Sequence, residues 1–339
     1  MIDIGRATAE GRPPDATVFR RLNAVLARDP LAAEPFLVAG TNAFSQGQLE
    51  RAGALLREAA RRDPRSPAAR YLLADLYLRQ GRTADGLRQV GALIRRLPKA
   101  AGPLTPSLAA FATQPGAADQ VRAILSENPQ LRGNVLATLA ENPANAALIL
   151  DLAGEQPPSG PPPDWQSRLV RSLVQAGDYR RAYQLWARFA GVAPYAQSGL
   201  FNASFNSSRA PPPFNWTLAA GAAGIAEAAP NGGLRILFYG REAAVLAAQL
   251  MLLRPGRYRL RYRLSGSPPN DIPLSWGINC LPGNEQVAET AVADGGDLTF
   301  TVGAGCRAQE LQLRGSPAEL PANVDLTITG LELVREGAG

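Results

Sequence analysis

The sequence predicts a multidomain chain, α then β: a helical-repeat solenoid followed by an antiparallel β-sandwich of jelly-roll type. Three observations carry this. Prolines at 30, 64 and 98 recur every 34 residues through segments of helical periodicity. After Pro194 the pattern changes to short runs that alternate polar and apolar residues between Gly and Pro turns. A chain of 339 residues with 46% hydrophobic content can bury more than one core.

The helical half begins with "VFRRLNAVLARDP", where Val18, Leu22, Val25 and Pro30 follow the pattern of a second helix of a hairpin. The next two 34-residue segments align: Gly47 with Gly81 at a turn, Ala52 with Gly86 where helices approach closely, and Leu56 and Ala59 with Val90 and Leu93. Each unit reads as a helix, a Gly turn, an antiparallel helix and a Pro stop. "DWQSRLVRSLVQAGDYRRAYQLWARFAGVAP" repeats the pattern at Leu169, Gly177, Tyr179, Ala182, Trp186, Phe189 and Pro194. In length, Gly turn, small residues and terminal Pro these units resemble the tetratricopeptide repeat. Its bulky first-helix aromatic is approximated by Phe36, Tyr71 and Trp165. Residues 1–194 are accordingly assigned to the solenoid. Within them 104–154 breaks the period, with Glu-Asn-Pro at 127–129 and 141–143 each preceding a short helix, and 155–164 is a Pro-rich connector. A solenoid of this kind presents a concave surface to another protein. The polar residues in phase for it, Asn42, Gln46, Arg70 and Arg79, are the candidate partner-binding set.

Residues 195–213, rich in Asn, Ser and Pro without helical period, read as a linker. From 214 to 336 eight segments read as strands: "FNWTL", "GLRILFYG", "AVLAAQLMLL", "GRYRLRYRLSG", "PLSWGINC", "DLTFTV", "QELQLRG" and "VDLTITGLELVRE". In the last of these Gly330 shifts the alternation, as a bulge does. Cys280 ends one strand and Cys306 opens another, and they are the only cysteines. The preferred reading is a disulfide, which places the chain in an oxidising compartment; two separate buried thiols in the cytoplasm are the alternative. The order of an apolar strand, a Pro-Gly turn, a Tyr-X-Leu strand, a Trp-bearing strand and "LTITGLELVR" resembles carbohydrate-binding modules and galactose-binding-like jelly rolls. That resemblance implies contact with a glycan.

In the strand after Pro255, Tyr258, Leu260, Tyr262 and Leu264 share one face and Arg257, Arg259, Arg261 and Arg263 the other, the arginines about 6.7 Å apart. Like charges in a column need acidic neighbours or an anionic ligand. Glu242, Glu310, Glu332 and Glu336 are the expected pairing acids. The arginines are also the candidate anion- or glycan-binding column, with Trp216 and Tyr239 as the aromatics expected to be exposed for stacking on sugars. Trp276 is assigned to the core; Asn279 and Gln309 are polar candidates for holding hydroxyls.

The absence of histidine excludes His-dependent triads, His bases and His-ligated metals. Glu285 with Glu289 and Asp294 with Asp297 lie in a turn-rich segment, and acids four residues apart do not make a facing catalytic pair. No catalytic residue, metal or cofactor is assigned. The net charge of +6 rests on arginine, with Lys99 the only lysine, and residues 1–195 hold 24 basic and 17 acidic residues against 11 and 12 in the remainder. This thin spread argues against a nucleic-acid partner. No signal peptide or span of 18 apolar residues is visible, so a membrane is expected only through an anchor outside this chain. The resulting expectation is a non-catalytic envelope scaffold: repeats docking a protein, the sandwich touching polysaccharide or protein. A cytoplasmic adaptor with a purely structural β domain and a carbohydrate-active enzyme are the alternatives.

Overall fold

The computed structural model describes residues 16–96, 101–154, 162–193, 199–206, 210–266, 272–317 and 323–337. Helices α1 (Ala16–Arg28), α2 (Glu34–Ser45), α3 (Leu49–Arg62), α4 (Pro67–Arg79) and α5 (Thr83–Arg96) form the regular repeats. Gly47 and Gly81 take φ of 72° and 70° at the two hairpin turns, a left-handed conformation that residues with a Cβ adopt at a penalty. Ser66 caps α4 by accepting the Ala69 N–H at 3.3 Å, with Pro67 in the first turn where its missing donor is not needed. Ala43, Ala52, Leu56, Leu73, Leu76 and Tyr77 close the core between α2, α3 and α4. The small residues let the helices approach. Each buried leucine contributes roughly 1.5–3 kcal/mol.

The irregular stretch holds α6 (Ala101–Ala112), α7 (Ala118–Ser126), α8 (Pro129–Leu139) and α9 (Ala146–Ala153). Both Glu-Asn-Pro signals mark helix entries: α8 begins on Pro129, and a 3-10 turn at Pro143–Asn145 leads into α9. The Pro-rich connector falls largely on 155–161, outside the described residues.

The chain divides into two compact units near residue 156, with Ala140–Ala144 grouping with the second. The second unit contains α10 (Asp164–Gln175), α11 (Tyr179–Ala190) and ten strands among the described residues: β1 (Thr217–Leu218), β2 (Gly224–Ala228), β3 (Leu234–Phe238), β4 (Ala244–Met251), β5 (Gly256–Gly266), β6 (Leu274–Leu281), β7 (Glu285–Ala291), β8 (Asp297–Val302), β9 (Ala308–Gly315) and β10 (Val324–Glu336). One sheet runs β1-β4-β9-β6-β7 and the other β2-β3-β10-β5-β8, with antiparallel neighbours throughout. Helical repeats followed by an antiparallel sandwich is the architecture that the sequence predicts. All eight expected strands are present. β2 and β7 are additional, both at sheet edges, and β7 has no buried residue to print an alternation on the sequence. Gly330 sits at φ 60° where the β10–β5 register shifts, between Thr329 and Glu332.

Trp276, Leu260, Leu311, Leu313, Ile328 and Phe238 are the centre of the sandwich core. Two further pieces belong to the same unit. The hairpin α10–α11, aligned by sequence with the repeats, belongs by contacts to the sheet-bearing unit. The described parts of the segment read as a linker are also built in. Phe205 is buried against Trp216 with ring centroids 4.8 Å apart. Phe201 gives its N–H to Gln249 Oε1 at 2.9 Å, and its carbonyl accepts from Gln249 Nε2 at 2.8 Å. Gln249 is only 1% exposed, so these two bonds satisfy an amide that burial would otherwise leave unpaired.

Candidate functional site

On the helical unit two exposed large apolar side chains sit on α4. Its core stripe is Ala69, Leu73, Leu76 and Tyr77. Tyr71, Asp75, Leu78 and Arg79, at i, i+4, i+7 and i+8, occupy another face. Tyr71 is 55% exposed and Leu78 42%, the leucine resting in part on Gly86 of α5. Arg79 gives Nε and Nη2 to the two oxygens of Asp75, each at 3.1 Å, and lies over the Phe44 ring of α2 at 4.9 Å. Its pKa is raised by that carboxylate. The patch is therefore apolar and aromatic, with one internally neutralised ion pair.

Of the four residues expected on the concave face, Arg79 is in this patch. Arg70 is nine residues earlier, half a turn out of phase, and is tied to Pro64 O at 2.9 Å and Gln89 Oε1 at 3.1 Å. It braces a turn and α5. Asn42 is half-buried with Oδ1 enclosed, while Gln46 is exposed at the end of α2 and accepts from Gln48 at 3.1 Å. The repeat pattern makes Tyr71 an interhelical aromatic; its exposure corrects that reading. Phe36 instead lies under the Arg62 guanidinium at 4.0 Å. Beside it, hydrogen bonds from Arg61 and Arg62 lower the pKa of the Glu58 carboxyl to about 2. Two large apolar residues outside the core stripe are the signal in the sequence that could have found the patch.

On the sandwich, the β5 alternation stands as read: Tyr258, Leu260 and Tyr262 are buried, and Arg257, Arg261 and Arg263 are exposed. Arg257 pairs with Glu336 at 2.8 Å, and Arg259 pairs with Glu336 at 2.7 Å and Asp297 at 3.5 Å. The acids are those of the flanking strands β10 and β8. Glu310, proposed by sequence, lies on the other sheet, and Glu332 faces Arg261 in register. Arg257 and Arg259 are thus neutralised locally. Because both partners are partly exposed, substituting Arg259 and Arg261 with Gln is expected to leave folding intact, with a loss below about 1 kcal/mol in urea unfolding. A larger loss would make the column structural, and loss of a ligand without loss of stability would make it a site.

Trp216 is a correction: it is 6% exposed, packed between Phe205 and Trp276, and donates Nε1 to Asn202 O at 3.1 Å. A strand of two residues, β1, carries too little alternation to assign its faces. Tyr239 is half-buried after β3. Gln309, fully buried, accepts from Leu253 N–H and donates to Cys306 O, so it is structural. Trp276 is in the core as expected. Cys280 and Cys306 are joined by a disulfide with Cα atoms 5.3 Å apart. Among the described residues no group of three or more Cys, Asp or Glu is placed to hold a metal, and no helix is long and apolar enough to cross a membrane.

Residues 43–102 match the tetratricopeptide repeat family. The match runs from the end of α2 through α5 and supports reading these helices as a repeat scaffold of the protein-interaction kind. Likenesses among solved structures include a thermophilic tetratricopeptide repeat protein of Thermus thermophilus (23% identity, 49% of this chain and 93% of that one, TM-score 0.24). A MamA RS-1 double mutant gives 16% identity over 55% and 88%, TM-score 0.27. The glycosylation-associated Gap123 complex of Streptococcus agalactiae gives 17% over 31% and 37%, TM-score 0.24. The chain spans about a third of that last protein. No match was found among curated proteins.

Proposed function

We propose that this protein is a non-catalytic scaffold of the bacterial cell envelope that docks a partner protein on the α4 face. The carrying observation is the partly exposed pair Tyr71 and Leu78, beside Arg79 stacked on Phe44, within the repeats that match the tetratricopeptide family. Interfaces are anchored by aromatic and Arg residues, and contiguous apolar exposure marks them. The envelope assignment draws on the Cys280–Cys306 disulfide, which persists in oxidising compartments. The resemblance of the sandwich to carbohydrate-binding jelly rolls supports a second contact, with glycan, in surface polysaccharide assembly or export.

The test is reversible cross-linking of the full chain in its native envelope fraction, comparing wild type with a Tyr71→Ala, Leu78→Ala variant. Tyr71 is mostly exposed, whereas Leu78 rests in part on Gly86 of α5, so thermal unfolding should fall by only a few degrees and the variant should remain folded. The expected result is a defined protein recovered with wild type and reduced at least about tenfold with the variant, as loss of interface anchors produces. Equal recovery by both chains overturns the assignment of this face.

A further inference from the structure

The sandwich has a second polar surface, on the outer face of the sheet opposite the arginine column. At its centre is Gly277, in the middle of β6 and flanked on both sides by β7 and β9. Glycine inside a central strand weakens it and marks a close approach. Here the approach is made by Arg314 of β9: a Cβ on Gly277 would lie 3.0 Å from Cζ, 3.1 Å from Nη1 and 3.3 Å from Nε. Three near-equal distances mean that the guanidinium lies flat over the glycine. The strand carries a gap, and the arginine fills it as a planar floor.

That floor is locked. Nε donates to Gln312 Oε1 at 2.8 Å, Nη1 to Gln286 Oε1 at 2.7 Å, and Nη2 to Asn279 Oδ1 at 2.7 Å. Glu289 is fixed in turn by Ser275 Oγ at 2.6 Å and Gln286 Nε2 at 2.9 Å, and these bonds hold its carboxyl ionised below the usual range. A guanidinium has five N–H groups, and these bonds use three. Glu289 Oε1 and Arg314 Nη1 stand 3.8 Å apart, too far for a good hydrogen bond. A hydroxyl oxygen seated between them can accept from Nη1 and donate to the carboxylate, each at about 2.8 Å. Adjacent donors and acceptors of fixed geometry match neighbouring hydroxyls of a ring, and their prior ordering lowers the entropy lost on binding. Gln312 also donates to Glu310 at 2.7 Å, so two carboxylates flank one arginine. A polyanion is repelled here.

We propose that the face around Arg314 and Gly277 binds a neutral oligosaccharide, with Arg314, Glu289, Gln286 and Gln312 as its hydrogen-bonding set; Asn279, 5% exposed and already bonded to Arg314 and Asn284, holds the guanidinium in place. This rests on the glycan contact proposed above and places it on neither the arginine column nor Trp216. The test is isothermal titration of the full chain with cellohexaose, maltohexaose, xylohexaose and mannohexaose, and with hexagalacturonate as the acidic comparator. At least one neutral hexamer is expected to bind. Arg314→Lys, which keeps the charge but removes the fork, and Gly277→Ala, which lifts the guanidinium, should each weaken it about tenfold or more, the effect of losing a charge-assisted hydrogen bond. Arg261→Gln should bind as wild type does. Binding of no neutral hexamer, binding of hexagalacturonate alone, or full binding by a folded Arg314→Lys variant would overturn the proposal. None of these residues is on α4, so such a failure leaves the protein-docking reading standing.

Discussion

Replacing both Cys280 and Cys306 with Ser is expected to destabilise the sheet-bearing unit by about 3.5 kcal/mol, the loop-closure value for a 26-residue separation. The bond joins the end of β6 to a residue shortly before β9, and between them the chain runs out through β7 and across to β8 in the other sheet. In the unfolded chain the cross-link removes conformations that the folded state never uses, so its loss acts mainly on the denatured ensemble. In the folded unit the strand with most to lose is β7. It pairs only with β6 and has no buried residue, so little hydrophobic burial holds it once the loop is open. Urea unfolding of the double variant and of reduced wild type should agree, and amide exchange should rise first in Glu285–Ala291. A loss below about 1 kcal/mol in both would show that native packing, and not the cross-link, closes this excursion.

How far the fold can be read from the sequence depends on the range over which each signal acts. The β5 faces are legible because four arginines alternate with Tyr and Leu, a period of two that needs no partner strand to interpret. The hairpin turns are legible because Gly47, Gly81 and Gly177 each supply a positive φ at a fixed offset. β7 is not, since "EQVAETA" at a sheet edge buries nothing and its acids read as loop acids. The Arg314 surface is invisible for a different reason. It exists only because the register sets Arg314 opposite Ser275 and Gln312 opposite Gly277, pairings between residues more than thirty positions apart. On α4, Arg79 is found by phase and polarity. Tyr71 reads as core because large apolar residues on repeat helices are usually interhelical, and only its exposure separates it from Tyr77.

Trp186→Ala is expected to have an effect of about 3–5 kcal/mol, the range for deleting a buried tryptophan. The residue is 1% exposed on α11 and makes ring contacts with Phe201 at 5.1 Å, Phe214 at 5.6 Å and Tyr183 at 5.6 Å. Its Nε1 donates to Pro211 O at 2.6 Å. Phe201, Pro211 and Phe214 all come from the segment leading into the sandwich, and Phe201 is clasped by Gln249 of β4. One side chain therefore connects the hairpin to the strap, and the strap to the sheet. If the hairpin were an independent repeat, truncating Trp186 would loosen α10 and α11 and leave the sheets alone. Because the three parts share one packed unit, the unfolding of α11 and of β4 is expected to remain a single transition shifted to lower urea. Trp186→Phe separates the two contributions: it keeps a ring in the cluster but removes the donor to Pro211, a loss of about 1 kcal/mol for the hydrogen bond beyond the change in packing. Amide exchange of Leu311 and Leu313 in Trp186→Ala provides the decisive reading. Protection that falls together with that of α11 establishes the hairpin as part of the sandwich unit. Protection at wild-type level would return it to the repeats.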